Sequence, residues 1–492
     1  MSERAGMTRG SHGVTAGLFV LVWLSCVWFG SWSLNPNNAT RLFGALALVE
    51  QHDARIDRFE SLTIDKAQFG NHHYIDKAPG MTLMAVPWVW AANAATHSTS
   101  RDYVIDITNP RLEKFLALRL QLAVAFGTAL LTAFAAVLLF DLGTGITGSV
   151  TAGLVAALGY ALGSIVWGWS TTLFGHAPVA ALLTIATWAV WRGTGGPREL
   201  DRWRYPVMAG AALGWALEVE FTAIFGGVAI GLWALWRTRR LDAARRWRIY
   251  GVTVVVALLM LVPLALYNQL AFGTPFKLGY EGVVGFNGMQ QGLFGLTYPK
   301  ADILFRIIFS PRRGLLLVAP VLLLGAIGLD RTIRNPATRD VGILAAGVAM
   351  VVLLVNASYV YWDGGASTGP RHSVVAIPFL ALGLAPFWAS LRSGWAKRAT
   401  ATLLGLSILL NLAIATTDIF DSDGFDFPLW ERNASILASG KLTSLPSDWW
   451  GWSPWRGVAL YLFLAVPLLV TMILSARRAD RRGATVAQPA DG

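Results

Sequence analysis

What most constrains this chain is the recurrence of apolar runs of bilayer length. A membrane-crossing helix needs about 20 mostly apolar residues, because hydrocarbon offers no water to exposed backbone groups. Runs of this kind lie at 14–33, 112–140, 148–167, 175–191, 206–219, 221–236, 249–270, 314–329, 340–358, 374–391, 399–416 and 456–475, which predicts twelve spans. The stretch 205–236 is too long for one helix and lies between arginine-rich segments, so it reads as two short helices meeting near Glu218 and Glu220. Only 14% of residues are charged, against about a quarter in soluble domains, which excludes an ordinary soluble enzyme. A hydrophobic content of 54% excludes a disordered chain. The one cysteine, Cys26, lies in an apolar run and excludes a disulfide framework and a cysteine-based zinc site.

Charge placement gives the expected topology. Of the 40 Lys and Arg residues, 22 fall in the N-terminus, 192–205, 237–248, 330–339, 391–398 and the segment after 475. Basic residues concentrate on the cytoplasmic side of membrane proteins. This predicts both termini inside and the loops 34–110, 271–313, 359–373 and 417–455 outside. The same pattern accounts for the net charge of +11, so no nucleic-acid partner is expected. Arg4 and Arg9 precede the first run, but the bulky segment 29–32 offers no small-residue cleavage site, which predicts an uncleaved anchor. Residues 1–475 read as one transmembrane domain and 476–492 as a disordered cytoplasmic tail. Within the first outer loop, 81–95 is apolar but too short to span, and Pro79 stands where a helix can begin. An interfacial helix is expected there.

The outer loops hold the residues able to do chemistry. The densest polar cluster contains Asp53, Arg55, Asp57, Arg58, Glu60, Asp65, Lys66, His72, His73, Tyr74, Asp76 and Lys77. A carboxylate at this boundary can take a proton from an acceptor hydroxyl, and a Lys or Arg can hold a phosphate leaving group. The plainer reading is a solvated loop of ion pairs. His72 and His73 are adjacent and point different ways with no third ligand apparent, so no metal is expected. In 359–373, three glycines and Pro370 permit a tight turn, and Arg371 and His372 stand at the mouth of the next helix. A cation beside helix-start N–H groups makes an anion site; the alternative is a glycine turn beneath an aromatic belt. Arg312 and Arg313 open another helix, either as phosphate ligands or as headgroup anchors. Glu220 is an acid in apolar surroundings that faces either a cavity or a structural partner, and His176 has similar standing. Lys277 and Tyr280 are weaker candidates, and the tryptophans of 449–455 form a belt or stack on sugars. No P-loop or dinucleotide fingerprint is present.

Arg41 and the run Asp65-Lys66 … Gly70-Asn71-His72-His73-Tyr74-Ile75-Asp76-Lys77-Ala78-Pro79-Gly80 resemble the GT-C membrane glycosyltransferases. The resemblance is closer to the family 39-like branch, with its protein mannosyltransferases and lipid A aminoarabinose transferases. Tyr74-Ile-Asp-Lys77-Ala-Pro79 looks like that branch's Tyr-x-x-Lys-Pro-Pro element. Trp362 to Arg371 and Ser310 to Leu315 match two further patterns of such proteins. The resemblance implies an all-α polytopic membrane protein of about 12 transmembrane helices, with juxtamembrane helices in a large first extracytoplasmic loop. It implies an inverting, metal-independent and cofactor-free transfer of sugar from a polyprenyl phosphate to a glycan, lipid or protein. The expected setting is the bacterial inner membrane, with the active face outward. Asp65 is then the base, with Asp57 and Asp76 behind it. Lys77, Arg371, His372, Arg312, Arg313 and Arg41 bind the donor phosphate, and Tyr74, His73, Trp362 and Glu220 line the substrate. One departure stands out: the acid usual before the arginine is replaced by Asn37 and Asn38. A flippase for lipid-linked glycans and a non-catalytic scaffold are the alternatives.

Overall fold

The computed structural model describes residues 9–30, 34–420 and 424–486. Arg4, positions 31 and 32 of the cleavage argument, and residues 487–492 of the expected tail lie outside them. A helix lies at each of the twelve apolar runs. The principal helices are α1 (Arg9–Trp28), α2 (Pro36–Gln51), α3 (Gly80–Thr96), α4 (Pro110–Thr147), α5 (Val150–Ala161), α6 (His176–Gly193), α7 (Arg204–Val219) and α8 (Ala223–Thr238). They continue with α9 (Ala243–Phe272), α10 (Ala301–Phe309), α11 (Leu322–Arg334), α12 (Arg339–Ser358), α13 (Arg371–Ser390), α14 (Gly394–Thr417) and α15 (Pro454–Val486). Among the described residues α4, α9, α12, α13, α14 and α15 are long and apolar enough to cross a membrane; α1, α5 and α8 supply shorter apolar segments. α15 runs through Val486, so the segment expected to be disordered from 476 is helical as far as it is described.

The first outer loop is far more ordered than its sequence suggested. It contains α2, a turn of 3-10 helix at Asp57–Leu62, a hairpin and α3. α3 buries Met81, Ala85, Val89 and Ala92 along one face and turns Trp90 outward, as expected of a short helix resting on the bundle. The hairpin pairs β1 (Ala67–Phe69) with β2 (His72–Tyr74), in register Ala67 with Tyr74 and Phe69 with His72. Gly70 takes φ 61° at its two-residue turn, a conformation glycine adopts without steric cost.

The arginine-rich segments share the end of the bundle opposite these loops. There Arg192 on α6 pairs with Asp141 on α4 at 2.8 Å, and Arg237 on α8 pairs with Asp340 on α12. Asp480 on α15 accepts from the backbone N–H of Val150 at 2.7 Å and the Ser149 hydroxyl at 2.9 Å, completing the start of α5. α15 also lies along α1: the Ser25 and Tyr461 hydroxyls are 2.7 Å apart, and Trp28 donates its indole N–H to the Gly457 carbonyl at 3.0 Å. α9 is peripheral, packed against α7, with Val254, Val255, Leu258 and Leu259 turned outward.

Inside the bundle, glycine sets how closely helices approach, as small residues do where lipid removes a hydrophobic incentive to associate. A side chain at Gly328 of α11 would fall on the Gly383 carbonyl oxygen, and one at Gly383 on that of Gly325. Gly405 on α14 has open space around it. Gly328→Leu is therefore expected to cost about 1–3 kcal/mol or more through overpacking, lowering the thermal midpoint of detergent-purified protein by several degrees. Gly405→Leu leaves it within about 1 °C. Differential scanning fluorimetry on the two variants checks this.

Candidate functional site

The site is assembled at the loop end from five separate segments. α2 starts where Asn35 caps it, its side chain accepting from the Asn37 N–H at 3.0 Å, with Pro36 at the first helical position. The buried face of its first turns carries Asn37, Asn38 and Arg41. Asn38 accepts from the Leu173 N–H at 2.9 Å and so fastens α2 to the turn that leads into α6. This sets the Arg41 guanidinium 5.8 Å from the Phe174 ring.

A second cation arrives at the same ring. The Arg371 guanidinium lies 5.1 Å from Phe174. Its aliphatic stem crosses Gly364, where any Cβ would meet the Arg371 side chain at 2.9 Å. Gly364 also holds φ 75°, so both space and backbone require glycine there. The loop is fixed from beneath by Arg313, which donates to the carbonyls of Asp363 at 2.7 Å, Gly365 at 2.6 Å and Arg312 at 2.9 Å. The Nε atoms of Arg41 and Arg371 are both buried without a hydrogen-bond partner among the described residues.

The hairpin delivers the third cation. Asp65 precedes β1, and Asp76 and Lys77 follow β2. Lys77 donates to Asp76 and lies 3.4 Å from Asp65. Asp65 in turn accepts from the Asn37 side-chain amide at 3.0 Å. Burial pushes the Asp76 carboxyl up despite Lys77 beside it. Burial also opposes the charge on Lys77, but Asp76 and Asp65 outweigh it and hold the ammonium above its ordinary value. Asp65 exerts the strongest carboxylate pull on Arg371, which joins the hairpin to the Phe174 assembly.

Glu220 completes the cluster from the turn between α7 and α8. Its carboxylate accepts from Nδ1 of His176, with Oε1 at 2.9 Å and Oε2 at 3.0 Å. It is also the acid acting most strongly on Arg41. The His176 ring lies 6.1 Å from Phe174 and 5.0 Å from the His372 ring, which lies 5.2 Å from Tyr359. Of the expected site residues, the structure thus gathers Asp65, Asp76, Lys77, Arg41, Arg371, His372 and Glu220.

It does not gather the others. Asp57 is engaged with the hairpin, accepting from the His73 N–H at 2.6 Å and pairing with Nδ1 of His72 at 2.7 Å. His73 lies over the same carboxylate, with its Nδ1 3.4 Å away. Tyr74 packs on Phe69 and Phe272. Arg313 is spent on carbonyls, Arg312 reaches Asp363 at 3.4 Å, and Trp362 lies half-buried against the core. Among the described residues no group of His, Cys, Asp and Glu is arranged to hold a metal. Tyr280, which feels the charges of Lys77, Glu220 and Asp76, belongs to the cluster although its sequence signal was weak. Tyr359 opens the 359–373 cluster already singled out, whereas Phe174 gave no signal of its own, because no spacing rule links a ring to arginines more than a hundred residues away on either side.

No curated protein matches the chain in sequence. The family described as dolichyl-phosphate-mannose-protein mannosyltransferase matches residues 114–267, under a third of the chain. Among solved structures, ArnT from Cupriavidus metallidurans bound to undecaprenyl phosphate superposes with a TM-score of 0.50 at 15% identity, covering 94% of this chain and 73% of that one. The apo state of the same protein gives 0.49 at 14% identity, covering 94% and 72%. The Saccharomyces cerevisiae protein O-mannosyltransferase Pmt1-Pmt2 complex bound to the sugar donor gives 0.37 at 15%, covering 60% and 39%. The chain is a multi-pass helical membrane protein whose fold is the GT-C type expected from its sequence.

The hairpin lock has a pH signature. The His73 N–H and the His72 side chain hold the Asp57 carboxyl below its usual range, against the opposing effect of burial. A depressed carboxyl contributes stability above the ordinary carboxylate range and loses it as pH falls through its own lower value. Protease resistance of 57–77 should be flat from neutral pH to about 5 and should fall below about pH 4. Asp57→Asn removes this dependence and leaves the segment more cleavable throughout; limited proteolysis across pH measures both.

Proposed function

We propose that this protein is a membrane glycosyltransferase that takes a sugar from a polyprenyl-phosphate donor and attaches it to an acceptor at the loop face of the bundle. The observation that carries the reading is the pair of guanidiniums, Arg41 and Arg371, on one aromatic ring. Both carry buried Nε atoms without partners among the described residues, and Lys77 is held in the same cluster. Like charges gathered away from water are costly unless an anion joins them. Guanidinium forks suit phosphate oxygens. The similarity of fold to a protein bound to undecaprenyl phosphate supports the same reading.

Polyprenyl phosphate departs well once its charge is countered, so the cations stabilise charge that grows as the sugar–oxygen bond breaks. Asp65 and Asp76 keep the Lys77 ammonium in place for this task. The sugar inverts at its anomeric carbon, because the acceptor attacks opposite the bound phosphate. No metal is required where three cations already serve the leaving group. The acceptor is a glycan, lipid or protein, and the setting is a bacterial inner membrane with the loop face outward and both termini inside. Residues 1–475 form the transmembrane unit. A flippase would carry polar groups along a path through the bundle, whereas the buried charges gather at the loop end and in ion pairs at the opposite end.

Transfer is measured in proteoliposomes with radiolabelled undecaprenyl-phosphate sugars and a membrane extract as acceptor. Arg371→Ala and Lys77→Ala are each expected to lower kcat/KM by about 100-fold or more, the loss typical of removing one group that stabilises developing charge. Wild-type movement of label across the bilayer without covalent transfer defeats the proposal in favour of transport. Full activity of both variants defeats the assignment of the phosphate site.

A further inference from the structure

The remaining question is where the acceptor's proton goes. Each carboxylate expected to take it has another commitment: Asp57 to the hairpin, and Asp65 and Asp76 to Lys77. Where the family resemblance places an acid stand Asn37, which donates to Asp65, and Asn38. Two imidazoles stand at the site, His372 and His176, and of the two His176 is the one paired with a carboxylate. From the arrangement of His176 and Glu220 we infer that His176, held by Glu220, is the general base of the reaction, and that the acceptor is therefore a hydroxyl. This rests on the glycosyltransferase reading above and assigns a residue and an acceptor class to it.

The geometry is that of an oriented imidazole. Glu220 accepts from Nδ1 through both oxygens at 2.9 and 3.0 Å, so Nδ1 carries the proton and Nε2 is the nitrogen left to accept one. The orientation is enforced from behind, since a Cβ on Gly175 would meet Glu220 Oε1 at 2.6 Å. The ring lies within 6.1 Å of Phe174, the same ring that Arg41 and Arg371 approach at 5.8 and 5.1 Å. His176 and the two guanidiniums thus border one ring, Phe174, which leaves the space between them for the anomeric carbon. The charged and titratable groups facing His176 are Glu220 from the α7–α8 turn, Arg41 from α2, and Arg371 and His372 from the start of α13. Glu220 is placed to pair with the imidazolium once it forms.

The step balances. The acceptor oxygen forms a bond to the anomeric carbon as its proton passes to Nε2 of His176. The bond from that carbon to the phosphate oxygen breaks, and its electron pair leaves on polyprenyl phosphate. The product gains one negative charge beside Arg41, Arg371 and Lys77, while the imidazole gains one positive charge beside Glu220. An acceptor phosphate, already ionised, would need no such base.

The test uses the full chain in proteoliposomes with radiolabelled undecaprenyl-phosphate sugars, and separately measures binding of unmodified undecaprenyl phosphate. His176→Gln should lower kcat by about 100-fold or more while keeping affinity for undecaprenyl phosphate within about twofold. Retained binding shows that the variant is folded. Glu220→Gln, which keeps the imidazole but removes the carboxylate that holds it, should lower kcat by a smaller factor than His176→Gln. The product should survive the mild acid that cleaves glycosyl phosphates. A His176→Gln enzyme with wild-type kcat overturns the inference, as does an acid-labile glycosyl phosphate product. In each of these cases the glycosyltransferase reading stands. Absence of transfer by the wild-type chain overturns that reading and this inference together.

Discussion

Two guanidiniums cannot be kept at one aromatic ring away from water unless nearby groups offset their repulsion. In this molecule the compensation is distributed. Glu220 acts on Arg41, Asp65 acts on Arg371, and neither acid closes an ion pair with its arginine among the described residues. Each acid instead has a nearer partner, His176 for Glu220 and Asn37 with Lys77 for Asp65. The arginines are thus held electrostatically without being saturated by hydrogen bonds. Much of the loop architecture can be understood as the support this arrangement requires. Arg313 braces the glycine turn that carries Arg371, and Asn38 ties α2 to the turn that carries Phe174.

The same principle separates the two ends of the bundle. At the far end, acids and bases pair directly, as Asp141 does with Arg192 and Asp340 with Arg237, and these pairs lock neighbouring helices. At the loop end Lys77 also pairs directly with Asp76, but Arg41 and Arg371 keep unused donors among the described residues, beside acids that are already engaged. A chain needs both behaviours when one face serves to hold a fold and the other to receive a charged ligand.

Sequence made the bundle legible because apolar runs of bilayer length admit few folds, and every run carries a helix. Glu220 and Arg371 were also legible, since charges at the ends of apolar segments are costly and few, whereas Asp65 and Lys77 stood in the densest polar cluster of the loop and Arg41 entered through the family resemblance. The hairpin and α2 were not. The strands are three residues each, too short for an alternation to register. α2 has a weakly apolar sequence because its buried face is lined with Asn37, Asn38 and Arg41. The pairing of Asp57 with His72 and His73 could not be read either: a carboxylate beside histidines looks the same on paper whether it faces a cavity or staples a turn. Nor could that of His176, whose partner lies 44 residues away, beyond any spacing rule.

The contact between α1 and α15 has a consequence for how the protein is made. Ser25 meets Tyr461 across 436 residues, and Gly17 lies against Met472. α1 therefore waits, one flank bare, until nearly all the helices between it and α15 have been made. During that interval its flank faces lipid or a chaperone, and synthesis arrested before α15 would strand an unsealed bundle for the cell's quality control to clear.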